Sequence, residues 1–332
     1  MLKYTTKSVL LLALIASLVS FTKFDHCYNK NWATPDVYVH ACYSDISALY
    51  GARHMDTKTW PYSSGKESVE YPPLTGLVMW ATSLITPSQN FHWYFLINIF
   101  FIAILFMLAS WMLSRFKPNF WYLLPMTPAV IASLFINWDL WAVLGAILAI
   151  YLFKERRFDY SAIALGAAIA TKFFPIVLLI PVALFFLNQR KIKELIRFKL
   201  ILVITWLVIN LPVALTSPGW SRFYKMNLER GNDLGSVWFA LELLGINIDT
   251  LTIFVIGLIL LLTLIYFARS LRNFEQFIII TFLFVALFVT ISKVYSPQYV
   301  LWLTPLAILA MRGKEDRKWF WGWQASEMFY HL

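Results

Sequence analysis

The sequence contains few charged residues. Only 14% of its 332 residues are Asp, Glu, Lys or Arg, whereas 60% are hydrophobic and 18% are aromatic. The mean hydropathy is +0.65. A soluble domain carries about 25% charged residues, so this shortage of charge excludes an ordinary soluble protein. The apolar residues come in blocks rather than alternating with polar ones, which is typical of helices that cross a membrane.

The chain also lacks internal repeats, low-complexity runs and Gly/Ser-rich linkers. These absences predict a single domain over residues 1–332. Transporters often contain inverted repeats and broken helices that meet at the membrane midplane, but no two halves of this sequence match. This absence counts against a transporter or flippase of lipid-linked sugars, which is kept as an alternative function, and a noncatalytic membrane scaffold is a further one.

The net charge of +10 could indicate a nucleic-acid partner. The Lys and Arg residues, however, form short clusters between the apolar blocks, and in a membrane protein such clusters mark cytoplasmic loops. We therefore expect membrane lipid, and no nucleic acid, as the surroundings of this chain. The clusters are Lys3 with Lys7, Arg115 with Lys117, Lys154 with Arg156 and Arg157, residues 190–199, Arg269 with Arg272, and residues 312–318.

An even number of crossings must separate neighbouring cytoplasmic clusters. Three apolar segments lie between Lys7 and Arg115, so one of them should not cross. Residues 72–85 are the shortest, begin with Pro-Pro and end at Thr86-Pro87, and we expect them at the outer membrane surface. About ten transmembrane helices result, with both termini cytoplasmic. The predicted spans are residues 9–21, 91–113, 120–136, 140–153, 160–171, 173–187, 200–215, 251–268, 276–291 and 298–311.

This topology predicts two outer loops, residues 22–90 and residues 216–249, and tight outer turns at residues 137–139, 171–172 and 292–298. Residues 9–21 follow two lysines and lack a small-residue cleavage site, so we interpret them as a retained signal anchor. The tail, residues 312–332, should be cytoplasmic. It is apolar and aromatic at its end, so it either lies along the cytoplasmic interface or begins a span that is truncated here.

The first outer loop contains the strongest catalytic candidate. Asp45 lies just outside the first span, at the predicted start of a short helix capped by Ser44 or by Asp45 itself. A carboxylate there could take a proton from an acceptor hydroxyl, and an ordinary helix cap is the alternative. Asp139 begins a span, either as a helix-start residue that complements the helix dipole or as a second carboxylate facing an active cavity.

Lys172 and Lys293 are lone cations in outward turns, where they break the positive-inside pattern. They predict an anion site at the membrane surface, suited to a phosphate on a lipid tail, with snorkelling to the interface as the alternative. Arg222 and Arg230 in the second outer loop could close over the same anion.

Cys27 and Cys42 are the two cysteines, and both fall in the first outer loop. A disulfide between them is chemically allowed outside the cytoplasm, and two free thiols are the alternative. His40 and His54 have no spacing that resembles a ligand set. We therefore expect no metal and no cofactor.

Several motifs in order give the chain a family resemblance. An early loop aspartate, Asp45, is followed by Tyr71-Pro72-Pro73-Leu74, by residues 166–168 leading to Lys172-Phe173-Phe174-Pro175, and by Ser296-Pro297-Gln298-Tyr299 with Trp302. Together these resemble GT-C glycosyltransferases, and in particular glycosyltransferase family 87, the polyprenyl-phosphate-mannose-dependent mannosyltransferases. Residues 230–238 (RGNDLGSVW) are similar to actinobacterial members. The resemblance covers roughly residues 8–311.

The resemblance implies a GT-C-like fold with short in-plane helices in the first outer loop. It implies transfer of a hexose, usually mannose, from a polyprenyl-phosphate donor to a glycolipid or glycan acceptor, by inversion on the extracytoplasmic face of the plasma membrane. Asp45 would be the general base, with Lys172, Arg222, Arg230 and Lys293 on the donor phosphate. The residues expected to hold sugar or acceptor are Tyr71, Asp139, Tyr295, Gln298 and Tyr299.

Overall fold

The computed structural model describes residues 5–87, 89–269 and 271–330. These residues form α-helices and short 3-10 helices and no β-strand, which confirms the predicted all-α class. Lys3 and residues 331–332, which the topology prediction includes, lie outside the described residues. In chain order the helices are α1 Thr6–Asn29, α2 Asp36–Val39, α3 Asp45–Ala52, α4 Pro73–Ile85, α5 Phe91–Phe116, α6 Leu123–Met126, α7 Pro128–Ser133, α8 Asp139–Lys154, α9 Phe158–Thr171, α10 Leu179–Asn188, α11 Ile192–Thr216, α12 Arg222–Glu229, α13 Val237–Leu243, α14 Thr250–Ala268, α15 Phe274–Ile291, α16 Val300–Ala310 and α17 Asp316–Tyr330.

Five helices, namely α1, α5, α11, α14 and α15, are long and apolar enough to cross a bilayer. About 20 apolar residues span the hydrocarbon core, and these helices have 18 to 26 residues. The chain is therefore a helical membrane protein with several candidate spans. The other five predicted spans fold as shorter or interrupted helices: residues 120–136, 140–153, 160–171, 173–187 and 298–311.

Residues 120–136, expected as one span, fold as the two short helices α6 and α7. Pro128 is the first residue of α7, and it has no N–H with which to continue the hydrogen-bond ladder of α6. The interruption is followed by a turn in which the carbonyls of Phe135 and Ile136 accept hydrogen bonds from Ser44 and Asp45 in the first outer loop. This break therefore attaches the loop to the helix bundle.

The helix ends form two groups at opposite ends of the bundle. At one end, the Lys117 ammonium donates to the Met311 carbonyl at 2.9 Å. At the other, the Thr75 hydroxyl donates to the Thr171 carbonyl at 2.6 Å. We call the first the basic end, because the basic clusters of the described residues lie there, and the second the cavity end. The predicted inner and outer groups of loops correspond to these two ends.

The last helix, α17, runs from the basic end of the bundle to the cavity end. It begins near the basic end, where Arg317 donates to the Tyr122 hydroxyl at 3.1 Å. It then runs antiparallel to α16, and the Tyr330 hydroxyl donates to the Tyr295 carbonyl at 2.6 Å. Tyr330 therefore lies at the cavity end, opposite Thr6. The expectation that both termini are cytoplasmic stays a prediction.

Polar contacts explain why α17 packs against the bundle rather than leaving it. The side chain of Gln324 is buried and donates to the Thr304 hydroxyl at 3.1 Å. Glu327 accepts hydrogen bonds from the Tyr295 hydroxyl and from Trp323. Buried polar groups need such partners, and the sequence pattern of an apolar tail does not reveal them.

Small residues bring α8, α9 and α11 close together. A Cβ added at Gly145 would lie 3.0 Å from the Ala168 Cβ, and one at Gly166 would lie 2.9 Å from the Leu202 carbonyl oxygen. Larger side chains would force these backbones apart, and small residues are the usual means of close helix packing in membranes. The packing fixes the end of α9, where one of the predicted outward turns begins.

Candidate active site

A cavity of about 620 Å³ opens at the cavity end of the bundle. Its wall combines the first outer loop, the ends of α1 and α9, the second outer loop and the turn before α16. These segments are distant in sequence, and the interrupted helices bring them to one place. The predicted site residues that line the cavity are Asp45, Tyr71, Lys172, Arg230, Gln298 and Tyr299.

Asp45 is held at the cavity wall by its backbone. Its N–H donates to the Ile136 carbonyl at 2.7 Å, and the neighbouring Ser44 hydroxyl donates to the Phe135 carbonyl at 2.7 Å. Ser44 also caps α3, since its hydroxyl accepts from the Ile46 N–H at 3.3 Å. The predicted capped helix is therefore present, and Asp45 is its first residue.

Two tyrosine hydroxyls donate to the Asp45 carboxylate. Tyr43 reaches Oδ1 at 2.9 Å, and Tyr71 reaches Oδ2 at 2.7 Å. Burial raises the pKa of the Asp45 carboxyl above its ordinary value, while the hydrogen bond from Tyr71 and the charge of Lys172 act in the opposite direction. A carboxylate with a raised pKa is a stronger base, as proton abstraction requires.

Tyr71 is a hydrogen-bond donor in this arrangement rather than a base. Burial and the negative charge of Asp45 raise the pKa of Tyr71 well above its ordinary value, so its hydroxyl keeps its proton. The Tyr71 ring lies beneath Lys172, whose ammonium is 4.6 Å from the ring centroid, within the range of a cation–π contact. Tyr71 thus connects Asp45 to Lys172.

Lys172 forms a buried ion pair with Asp139. Its ammonium lies 2.7 Å from Asp139 Oδ1, and the Asp139 side chain is 0% exposed. The Trp302 indole N–H donates to the other carboxylate oxygen at 2.7 Å. Asp139 therefore holds Lys172 in position and does not line the cavity, in contrast to its expected role in binding sugar or acceptor.

Aromatic stacking holds Trp302 in turn. Its ring stacks on Tyr299, with centroids 3.9 Å apart, and on Phe174, with centroids 4.3 Å apart. Phe174 follows Lys172 closely in sequence, and Tyr299 belongs to the cavity wall. The motif residues of the two outer turns therefore form one packed unit around the ion pair.

The other predicted phosphate-binding cations are not all in one place. Arg230 lines the cavity and forms an ion pair with Asp233 at 2.5 Å. The Lys293 ammonium donates instead to the Thr250 hydroxyl at 2.9 Å. Lys293 and Arg222 do not line the cavity, so the structure brings two of the four predicted cations, Lys172 and Arg230, to its wall.

Of the three residues in the turn before α16 that were predicted to contact sugar or acceptor, two line the cavity and one does not. Gln298 and Tyr299 line the cavity. Tyr295 does not, because its hydroxyl donates to Glu327 on α17. Its carbonyl accepts from Tyr330, which does line the cavity.

The cavity wall also contains polar residues outside the predicted site, among them Lys23, Tyr43, Glu70 and Tyr330. Lys23 had a visible signal, because it is a single cation at the outer end of α1, and its ammonium donates to the Ala132 carbonyl at 2.8 Å. Glu70 is a partner of Arg53. Tyr330 had no signal, since its position depends on the path of α17.

Cys27 and Cys42 form a disulfide. It ties the end of α1 to the segment that precedes Asp45, and it resolves the two alternatives that the sequence left open. Comparison of the chain with protein-family models, with curated proteins and with solved structures found no match. The resemblance to glycosyltransferase family 87 therefore rests on the sequence motifs alone.

Proposed function

We propose that the protein transfers a hexose, with mannose as the first candidate, from a polyprenyl-phosphate donor to a glycolipid or glycan acceptor. The observation that carries the proposal is the pairing, in one cavity, of the Asp45 carboxylate with the fixed cation Lys172. A base for the acceptor hydroxyl and a positive charge for the departing phosphate are the two groups that direct displacement requires.

Charge distribution supports an extracytoplasmic site in the plasma membrane. The basic clusters of the described residues lie at the end of the bundle opposite the cavity. Under the positive-inside rule the basic end faces the cytoplasm, so the cavity faces outward. A donor anchored by its lipid tail in the outer leaflet presents its phosphate at that depth.

In the proposed reaction, Asp45 accepts the proton of the acceptor hydroxyl as its oxygen attacks the anomeric carbon. The bond from that carbon to the phosphate oxygen breaks, the electron pair leaves with the phosphate, and the anomeric configuration inverts. Lys172 and Arg230 stabilise the leaving phosphate electrostatically. Tyr71 orients the Asp45 carboxylate, and Gln298 offers amide contacts to sugar or acceptor hydroxyls.

The test uses purified full-length protein in lipid vesicles with radiolabelled polyprenyl-phosphate-mannose and a crude lipid acceptor fraction. Label in the acceptor fraction, together with free polyprenyl phosphate, supports a transferase. Movement of intact donor between leaflets without transfer identifies a flippase and contradicts the proposal. Donors carrying arabinose or glucose, run in parallel, determine which sugar the cavity accepts.

A further inference from the structure

Two histidines and an aspartate converge beside the cavity. His26 lies in the last turn of α1, Asp36 begins α2, and His40 follows α2 by one residue. One potential ligand atom from each residue lies within 4.8 Å of the others. Asp36 and His40 are four residues apart, and His26 joins them only through the path of the loop, which is why no metal was expected from the sequence.

The distances in this group suit a small ion. His26 Nε2 lies 2.7 Å from Asp36 Oδ2, and His40 Nε2 lies 3.3 Å from Asp36 Oδ1. The two imidazole centroids are 3.8 Å apart. A tetrahedral Zn²⁺ ion with bonds of about 2.0–2.2 Å separates its ligand atoms by about 3.3 Å, so His26 Nε2 has to move away from the Asp36 carboxylate by about 0.6 Å to admit the ion.

We propose that His26, Asp36 and His40 bind a divalent transition-metal ion, with Zn²⁺ as the best fit. Imidazole nitrogens with one carboxylate oxygen are a common ligand set for this ion, and three protein ligands leave the fourth position for water. The three side chains are partly exposed, so an ion can enter from solvent. The proposal does not depend on the transferase function.

The disulfide prepares this group for a ligand. Cys27 directly follows His26, and Cys42 lies two residues after His40. The covalent link therefore joins the two segments that carry the histidines and reduces the entropy lost when they converge on one ion. Tyr38, between Asp36 and His40, lines the cavity, so the bound ion would also stiffen the cavity wall.

The experiment uses untagged full-length protein in detergent, stripped with EDTA and titrated with Co²⁺. We expect one ion per chain with the intense visible absorption of tetrahedral Co²⁺, lost when Zn²⁺ is added. His26→Gln and His40→Gln should each weaken binding at least 100-fold. The matched control is His54→Gln, because His54 is also half-exposed and pairs with a carboxylate, Glu67, at 3.0 Å.

Hydrogen bonds between Asp36 and the two imidazoles would give the same contacts without an ion. The experiment distinguishes this hydrogen-bonded group from a metal site. Absence of a stoichiometric tetrahedral Co²⁺ spectrum in the wild type overturns the proposal, as does equal affinity in the wild type and His40→Gln. Thermal unfolding in EDTA tests the folding of each variant. Zn²⁺ should raise the melting temperature of the wild type and of His54→Gln but not of His40→Gln, and an equal rise in all three overturns the proposal.

Discussion

Asp45 and Asp139 are two carboxylates at the same end of the bundle in opposite surroundings. Asp45 lines an open cavity and accepts hydrogen bonds from two neutral tyrosine hydroxyls. Asp139 is fully buried, pairs with the Lys172 ammonium and accepts from an indole N–H. A carboxylate at a cavity wall can exchange a proton with an occupant, whereas the Asp139 carboxylate is shut off from the cavity by its ion pair and its burial.

The two carboxylates also differ in how the chain supports them. Asp45 belongs to a loop that is attached to the bundle by hydrogen bonds to the Phe135 and Ile136 carbonyls and by the disulfide. Asp139 begins α8 inside the packed helices. Both residues begin a helix, so that position alone does not distinguish a cavity carboxylate from a buried one.

The largest effect is expected from Asp45→Asn, which removes the proposed base. General-base catalysis contributes about 10²–10⁴-fold, and we expect transfer to fall roughly 1000-fold. The folded state should not be weakened. Burial raises the pKa of Asp45, so the native state holds this proton more tightly than the unfolded state. The free energy of unfolding therefore falls as the pH rises from the unfolded-state pKa of Asp45 through its native-state pKa. Asn removes this effect.

The measurements for Asp45→Asn are radiolabel transfer and the melting temperature at neutral pH. The matched control is Asp25→Asn, which makes the same chemical change at an exposed carboxylate near the end of α1 and should retain full transfer. Near-normal turnover in Asp45→Asn contradicts the assignment of the base.

Asp139→Asn should have the larger effect on stability. It leaves Lys172 buried without its counter-ion, and breaking a buried ion pair in this way costs about 3–5 kcal/mol. Asp159→Asn is the control, because its ion pair with Arg197 is largely exposed and is worth at most about 1 kcal/mol. Unfolding of Asp139→Asn at the wild-type temperature would show that the pair is not structural.

The double variant Asp139→Leu with Lys172→Met separates stability from function at this pair. Replacing a buried ion pair by apolar residues of similar volume is often neutral, so much of the stability lost in Asp139→Asn should return. Transfer should not return, because the proposed phosphate-binding ammonium is absent. Recovery of both properties would limit Lys172 to a structural role.

Loss of the disulfide should destabilise the loop that carries Asp45 and spare the region of Asp139. Cys27→Ser with Cys42→Ser opens a link over a sequence separation of 15, for which chain entropy predicts about 3 kcal/mol. Hydrogen exchange should increase around residues 36–45 and stay unchanged in α8. Reduced wild-type protein is the matched control, and faster exchange throughout the bundle would contradict a local role.

Much of the fold follows from the sequence, because blocks of apolar residues and basic clusters report helices and their ends directly. The clusters of the described residues do lie at one end, and the outward turns meet at the other. The sequence shows Pro128, but it does not show that the helix ends there and that α7 begins as a separate helix. The path of α17 was not visible, since it depends on buried contacts such as the one between Gln324 and Thr304.

The candidate site was predictable where a residue's chemistry was unusual for its place. Lys172 is a charge at the end of the apolar helix α9, Asp45 begins a capped helix in the first outer loop, and both line the cavity. Asp139 is also a charge at the end of an apolar segment, but it is buried because the Lys172 ammonium pairs with it. The sequence does not reveal that pairing. Lys293 donates to Thr250 at the start of α14, 43 residues away in the chain, and no local pattern encodes that contact.

The smallest expected effect, Tyr71→Phe, tests how the surroundings of Asp45 set its basicity. The change removes the hydroxyl that donates to Oδ2 at 2.7 Å but keeps the ring beneath Lys172. This hydrogen bond lowers the pKa of Asp45, so its loss should raise that pKa, and the acid limb of the kcat/KM profile should move to higher pH.

Tyr43→Phe is the matched control for Tyr71→Phe, because it removes the longer hydrogen bond to Oδ1, at 2.9 Å, which has the smaller effect on the pKa of Asp45. Its acid limb should therefore move in the same direction by less. Superimposable profiles for wild type and Tyr71→Phe would mean that the pKa of Asp45 does not control the rate. A downward shift would mean that the Tyr71 hydroxyl does not donate to the carboxylate during turnover.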